Sequence, residues 1–170
     1  MLGSLTLGGY DSSRFVPNNV VFNFASDISR DLVVALRSIQ VTDSSTTNKE
    51  LLPSGGILTF IDSTVPHIWL PINACKAFED AFGITYDNQT QLYLVNDTLH
   101  GTLVKQNASL SFVLGNDAQG GETVNITFPY AAFDLQVEYP IVNSTTHYFP
   151  LRRAANDSQY TLGRTFLQEA

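Results

Sequence analysis

From Leu5 to Leu162 the sequence breaks into short β-type apolar runs separated by Gly, Pro, Asn or Asp, and one segment alone keeps a clear helical period. That pattern leaves few folds open, because short runs bounded by turns pack as sheets. Leu5-Thr6-Leu7, Val20 to Phe24, Leu32 to Leu36 and Ser38 to Val41 are expected strands, with a polar loop from Asp43 to Lys49 after them. Ile57 to Ile61 is apolar almost without alternation, the mark of a buried strand, and it ends on Asp62. Gln91 to Val95, Gly101 to Val104, Ser109 to Leu114, Thr123 to Phe128 and Tyr160 to Gly163 are further expected strands, with a helical turn over Pro129 to Phe133. The helical exception starts at Asn73, a natural N-cap, carries Phe78 and Phe82 on one face, and stops at Gly83.

No repeat and no linker divides the chain, so residues 1–170 are expected to form one mostly β domain with one or two short helices. A chain of this length buries about two-thirds of its unfolded surface. Its 44% hydrophobic and 15% charged residues suit a packed core and exclude disorder. A net charge of −7 excludes nucleic acid as a partner, since phosphate binding needs clustered bases. No apolar run reaches membrane-spanning length. Six Asn-x-Ser/Thr acceptors, at Asn88, Asn96, Asn107, Asn125, Asn143 and Asn156, favour a glycoprotein that is secreted or at the cell surface. Cys75 stands alone, either as a free thiol or with a partner outside the chain. Met1 directly precedes a strand-like run, so the chain is expected to begin inside a longer protein.

An aspartate after an apolar strand, followed by Ser63 and Thr64, reads by itself as a turn, since Asp and Ser bond nearby backbone. The order of the surrounding segments says more. Gly3-Ser4-Leu5-Thr6-Leu7-Gly8-Gly9-Tyr10-Asp11 resembles the run that opens the second lobe of pepsin-like aspartic proteases. Ala35 to Val41 is similar to the strand pair that follows it in that family. Ile61-Asp62-Ser63-Thr64, continuing to Trp69-Leu70-Pro71, resembles the hydrophobic-Asp-Thr/Ser-Gly loop and the segment beyond it. Tyr160-Thr161-Leu162-Gly163 is similar to the stretch that threads through that loop. The matches run in order from residue 3 to residue 170, and Tyr148 to Arg153 looks most like a fungal branch of the family.

The resemblance implies one lobe of the pepsin-like acid protease fold, the carboxyl-terminal one, without its amino-terminal lobe and final strands. It implies an aspartic endopeptidase of peptidase A1 type, working on peptides or proteins at acidic pH with no cofactor. In such enzymes two carboxylates about 3 Å apart share one proton, one activating water and the other protonating the peptide carbonyl. Asp62 would be one of them, so this chain alone carries half an active site. Ser63, Thr64 and Gly163 would support the catalytic loop, and Thr64 and Val65 would line the substrate groove. The missing lobe, or a second copy of the chain, would supply the second carboxylate. The sequence departs from the family at three places: Thr64 stands for glycine, Val65 for a hydroxyl residue that bonds the carboxylate, and Arg164 for aspartate. These departures keep open the alternative of a catalytically degenerate relative that binds peptide or cell-wall ligands.

The remaining signals are structural. His67, His100 and His147 lack metal-ligand spacing, and with a single Cys no metal site is expected. His67 is read as a partly exposed structural histidine, Trp69 as a core or groove-wall aromatic, and Arg152-Arg153 as charge-pairing residues on a strand. Gly115 to Gly121 lacks the Lys and Ser/Thr of a phosphate cradle.

Overall fold

The computed structural model describes residues 7–14, 16–43 and 48–170. Residues 3–6 of the opening run, with most of the strand expected at Leu5-Thr6-Leu7, and residues 44–47 of the polar loop lie outside the described residues. The large sheet is built around β1 (Val33–Thr42), a ten-residue strand that absorbs both expected strands at 32–41. A bulge between Leu36 and Ser38 lets it continue across the change of register. The sheet's other strands are β2 (Lys49–Glu50), β3 (Ile57–Ile61), β4 (Ile68–Leu70), β7 (Ser109–Gly115), β8 (Thr123–Pro129), β11 (Leu151–Arg153) and β12 (Thr161–Leu162). Their order is β11-β4-β12-β3-β1-β7-β8, with β2 paired to β1. A second sheet, ordered β5-β6-β10-β9, comprises β5 (Thr85–Asp87), β6 (Leu92–Val95), β9 (Leu135–Val137) and β10 (Thr146–Phe149).

Among the described residues three α-helices complete the domain: α1 (Ile72–Phe82), α2 (Asp97–Gln106) and α3 (Arg164–Leu167). In α1, Phe78 and Phe82 stack at 5.9 Å and both are buried, and Gly83 ends the helix in the left-handed region at φ 66°. Asn73 is not the cap. Pro71 takes that position, and the Asn73 carboxamide instead accepts a bond from the next amide, Ala74 N, at 2.9 Å. The strand expected at Gly101 to Val104 is the middle of α2. Asn96 caps this helix by accepting from Leu99 N, and Leu99 and Leu103, four residues apart, turn to the core. The helical turn over Tyr130–Phe133 is present.

Val20 to Phe24 does not form a strand. A strand needs a neighbour for its ladder of amides and carbonyls. Here the cross-chain bonds come from one side chain, Asn116, which accepts from Asn23 N and donates to Val21 O. Val21 and Phe24 are 75% and 77% exposed, so this segment contributes no core.

One core joins the two sheets. Phe149 of β10 stacks on Phe133 at 5.1 Å and meets Phe78 and Phe82 of α1, while Phe112, Phe128 and Phe166 pack edge to face on the large sheet. Cys75 lies fully buried in this core, and its Sγ sits 3.6 Å from Leu70 O and 3.5 Å from Arg152 O. Within this chain Cys75 is a free thiol, and burial pushes that thiol up to about 12. Arg153 pairs with Glu79 at 2.7 Å, donates to the Tyr93 hydroxyl and lies 4.0 Å over the Tyr86 ring, as expected of a charge-pairing residue on a strand; Arg152 does not pair in this way and instead donates to Gln91 O at 2.6 Å. Among the described residues no helix is long and apolar enough to cross a membrane.

Candidate active site

β3 carries Asp62 to the rim of the large sheet, and the chain then turns back through residues 63–67 into β4. Between these two strands lies β12. It runs parallel to β3, with Leu162 opposite Ile61, and antiparallel to β4, with Leu162 opposite Ile68. The end of the chain is thus threaded through the loop that Asp62 begins. Asp62 N donates to Leu162 O at 3.3 Å, Arg164 N to Val65 O at 2.7 Å and Thr165 N to Pro66 O at 3.1 Å.

Gly163 sits at the crossing. A Cβ there would stand 2.3 Å from both Val65 O and His67 O, closer than any side chain tolerates. The requirement is for space, since its φ of −85° suits any residue. Gly163 thus lies against the backbone of residues 65 and 67 in this loop.

Asp62 is partly exposed, and its carboxylate is bonded locally. Thr64 donates its amide at 2.8 Å and its hydroxyl at 2.7 Å, both to Asp62 Oδ1. The Thr64 hydroxyl first and its amide second hold the Asp62 carboxyl below the usual range for aspartate, because both favour the charged form. Val65 therefore leaves the carboxylate less bare than its lack of a hydroxyl implied, since Thr64 brings a hydroxyl from the preceding position. Ser63 and Thr64 are exposed, while Val65 with Trp69, Gln159 and Thr161 lines a hollow of about 220 Å³. The Arg164 guanidinium reaches Ser63 O at 3.5 Å and so stands beside the loop.

His67, at the far end of the loop, is part-buried with its ring edge against Tyr148. Burial foremost, then the charges of Arg152 and Arg164, push its imidazole down to about 4. The other two histidines come together elsewhere: His100 Nε2 and His147 Nδ1 lie 2.8 Å and 2.9 Å from the two oxygens of Asp134, with their rings stacked at 3.7 Å. These residues are 34 and 13 positions from Asp134, and no local spacing signals such a meeting. All six candidate glycosylation asparagines are exposed, with Asn96 and Asn156 also capping helical turns.

Comparison with known proteins adds the family. The model of the eukaryotic aspartyl protease family matches residues 1–170. Among solved structures the chain superposes on an aspartic proteinase from Irpex lacteus with a TM-score of 0.61 and 18% identity, over 95% of this chain and 45% of that one. At that identity the likeness bears on the fold, and the chain spans less than half the length of that proteinase. No curated protein matches the sequence.

Proposed function

The chain belongs to the eukaryotic aspartyl protease family, and on that premise we propose that it is the carboxyl-terminal lobe of a secreted endopeptidase with Asp62 as one carboxylate of its dyad. The observation that carries the reading is β12 threaded between β3 and β4, because it fixes the loop that presents Asp62. Both Thr64 bonds fall on Oδ1, which leaves Oδ2 for a water and for the opposing carboxylate. Those bonds favour the charged form of Asp62. In the dyad the ionised carboxylate takes the proton from water while the protonated one gives its proton to the peptide carbonyl.

The partner carboxylate comes from an amino-terminal lobe. Exposed Val21, Phe24, Ile28 and Leu58 offer apolar surface for such a lobe to cover. The exposed sequons support passage through a secretory route. The second reading, a binder that has lost catalysis, is favoured by Arg164 beside the loop and by Thr64 in a glycine position.

One experiment separates them. The parent protein is assayed for peptide cleavage at about pH 3 to 5, with and without a statine-type transition-state mimic, alongside Asp62→Asn. Cleavage that the mimic blocks and the variant loses by roughly a hundredfold or more supports the enzyme. A folded parent that binds peptide without cleaving it supports the binder.

A further inference from the structure

We propose that His100, Asp134 and His147 form a binding site for one divalent transition-metal ion of zinc type, separate from the Asp62 loop. Three elements converge to make it. His100 lies in the first half of α2, Asp134 directly follows the turn Tyr130–Phe133, and His147 sits on β10 opposite Gln136 of β9. The three candidate ligand atoms all lie within 4.8 Å of one another, and the residues are half-buried and reachable from solvent. Successive side chains on a strand point to opposite faces, so His147 faces away from its neighbour Tyr148, which packs on His67. The site therefore belongs to the small sheet and α2, whereas Asp62 belongs to the large sheet.

The donor set selects the ion. Two imidazole nitrogens and one carboxylate oxygen suit zinc and its neighbours, with water completing a tetrahedron, while calcium and magnesium prefer oxygen alone. The fit needs little movement. Ligand atoms around a tetrahedral zinc stand about 3.3 Å apart for bonds of about 2.0 to 2.1 Å. In the free protein the two nitrogens stand 2.8 Å and 2.9 Å from the carboxylate oxygens. Each histidine–Asp134 separation must open by about half an ångström, while the two ring nitrogens, within 4.8 Å of each other, come to the same spacing.

The protons also balance. In the ion-free cluster with neutral rings, His100 Nε2–H and His147 Nδ1–H each donate to Asp134. On binding, both imidazoles change tautomer, so the protons move to His100 Nδ1 and His147 Nε2 and none leaves the protein. Gln136 is placed to hold that new state. Its side-chain nitrogen lies 3.5 Å from His147 Nε2, and turning the amide over presents an oxygen to the new N–H.

The test uses untagged, folded parent protein at neutral pH, titrated with Zn²⁺ by calorimetry. One zinc per chain is expected at this site, with a rise in melting temperature. His100→Ala and His147→Ala should each weaken it by at least about a hundredfold, and Gln136→Ala by about tenfold. His67→Ala should leave it unchanged. Substituting Co²⁺ should give the intense visible bands of a tetrahedral site, and Asp134→Asn, which keeps the shape of the cluster, should remove them even if a histidine variant fails to fold. Absence of zinc binding, or binding that survives Asp134→Asn and either histidine change, overturns the proposal. Neither outcome depends on whether Asp62 catalyses.

Discussion

Asp62 and Asp27 make the same local bonds in opposite settings. At Asp62 the carboxylate oxygen takes the amide and hydroxyl of Thr64 at 2.8 Å and 2.7 Å; at Asp27 it takes those of Ser29 at 2.9 Å and 2.7 Å. Both carboxyls are held below the ordinary range, by the partner hydroxyl first and its amide second. Asp27, however, merely caps an exposed single turn, Ile28–Arg30. Asp62 opens a loop with a strand threaded through it. Hydrogen bonding and acidity therefore do not set the proposed catalytic carboxylate apart from an ordinary turn. The threading does, since it holds the start of the Asp62 loop at a fixed place on the sheet rim.

The contrast breaks most visibly at the crossing. Gly163→Ala should cost roughly 3 kcal/mol or more, because its methyl meets two backbone carbonyls that cannot move without parting β12 from the loop. Gly9→Ala, where a Cβ meets nothing within 4 Å, should be close to neutral. Urea unfolding of both variants measures the difference.

A smaller effect concerns charge. Thr64→Val keeps the branched shape and removes the hydroxyl, so the Asp62 carboxyl should titrate at higher pH, followed by carboxyl NMR. A carboxylate with a lowered folded value loses its charge as pH falls through that value, so weakening the bond moves the loss upward. The acid limb of the parent's pH–rate profile should shift the same way. Ser29→Ala should raise Asp27 similarly and leave the profile where it was, which is what separates the two turns.

His67 gives the loop a second dependence on pH. Its imidazole titrates near 4 when folded against an ordinary 6.5, so between these values the unfolded chain binds a proton that the folded chain does not. Stability should fall as pH drops from 6.5 towards 4, and His67→Gln should flatten that part of the stability curve. The smallest effect is on melting temperature in Ser29→Ala, which should stay that of the wild type, because the turn that contains it buries nothing.

Local chemistry explains which parts of this structure were legible in the chain. The apolar run at 57–61 admits one reading, and so does the Phe78/Phe82/Gly83 pattern of α1. Gly101 to Val104 misled because its Gly, Thr and Val lower helix propensity, while the decisive signals, the Asn96 cap and the Leu99/Leu103 spacing, begin five residues earlier. Val20 to Phe24 misled for another reason: strand character lies in the residues, but a strand exists only beside a partner. At the candidate active site, segment order pointed to the Asp62 loop and to Gly163. What the order could not give was Thr64's hydroxyl on the carboxylate, which depends on the turn's geometry. The His100/Asp134/His147 meeting was invisible because it joins a helix, a turn and a strand through tertiary packing alone.

Cys75 has a practical consequence. It is the single thiol of the chain, sealed in the core beneath Leu70 and Arg152 and almost wholly protonated at neutral pH. A thiol reagent therefore meets nothing until the packing between α1 and β11 gives way. The rate at which the intact protein is labelled reads out how often that part of the core opens, with no probe added and no residue changed.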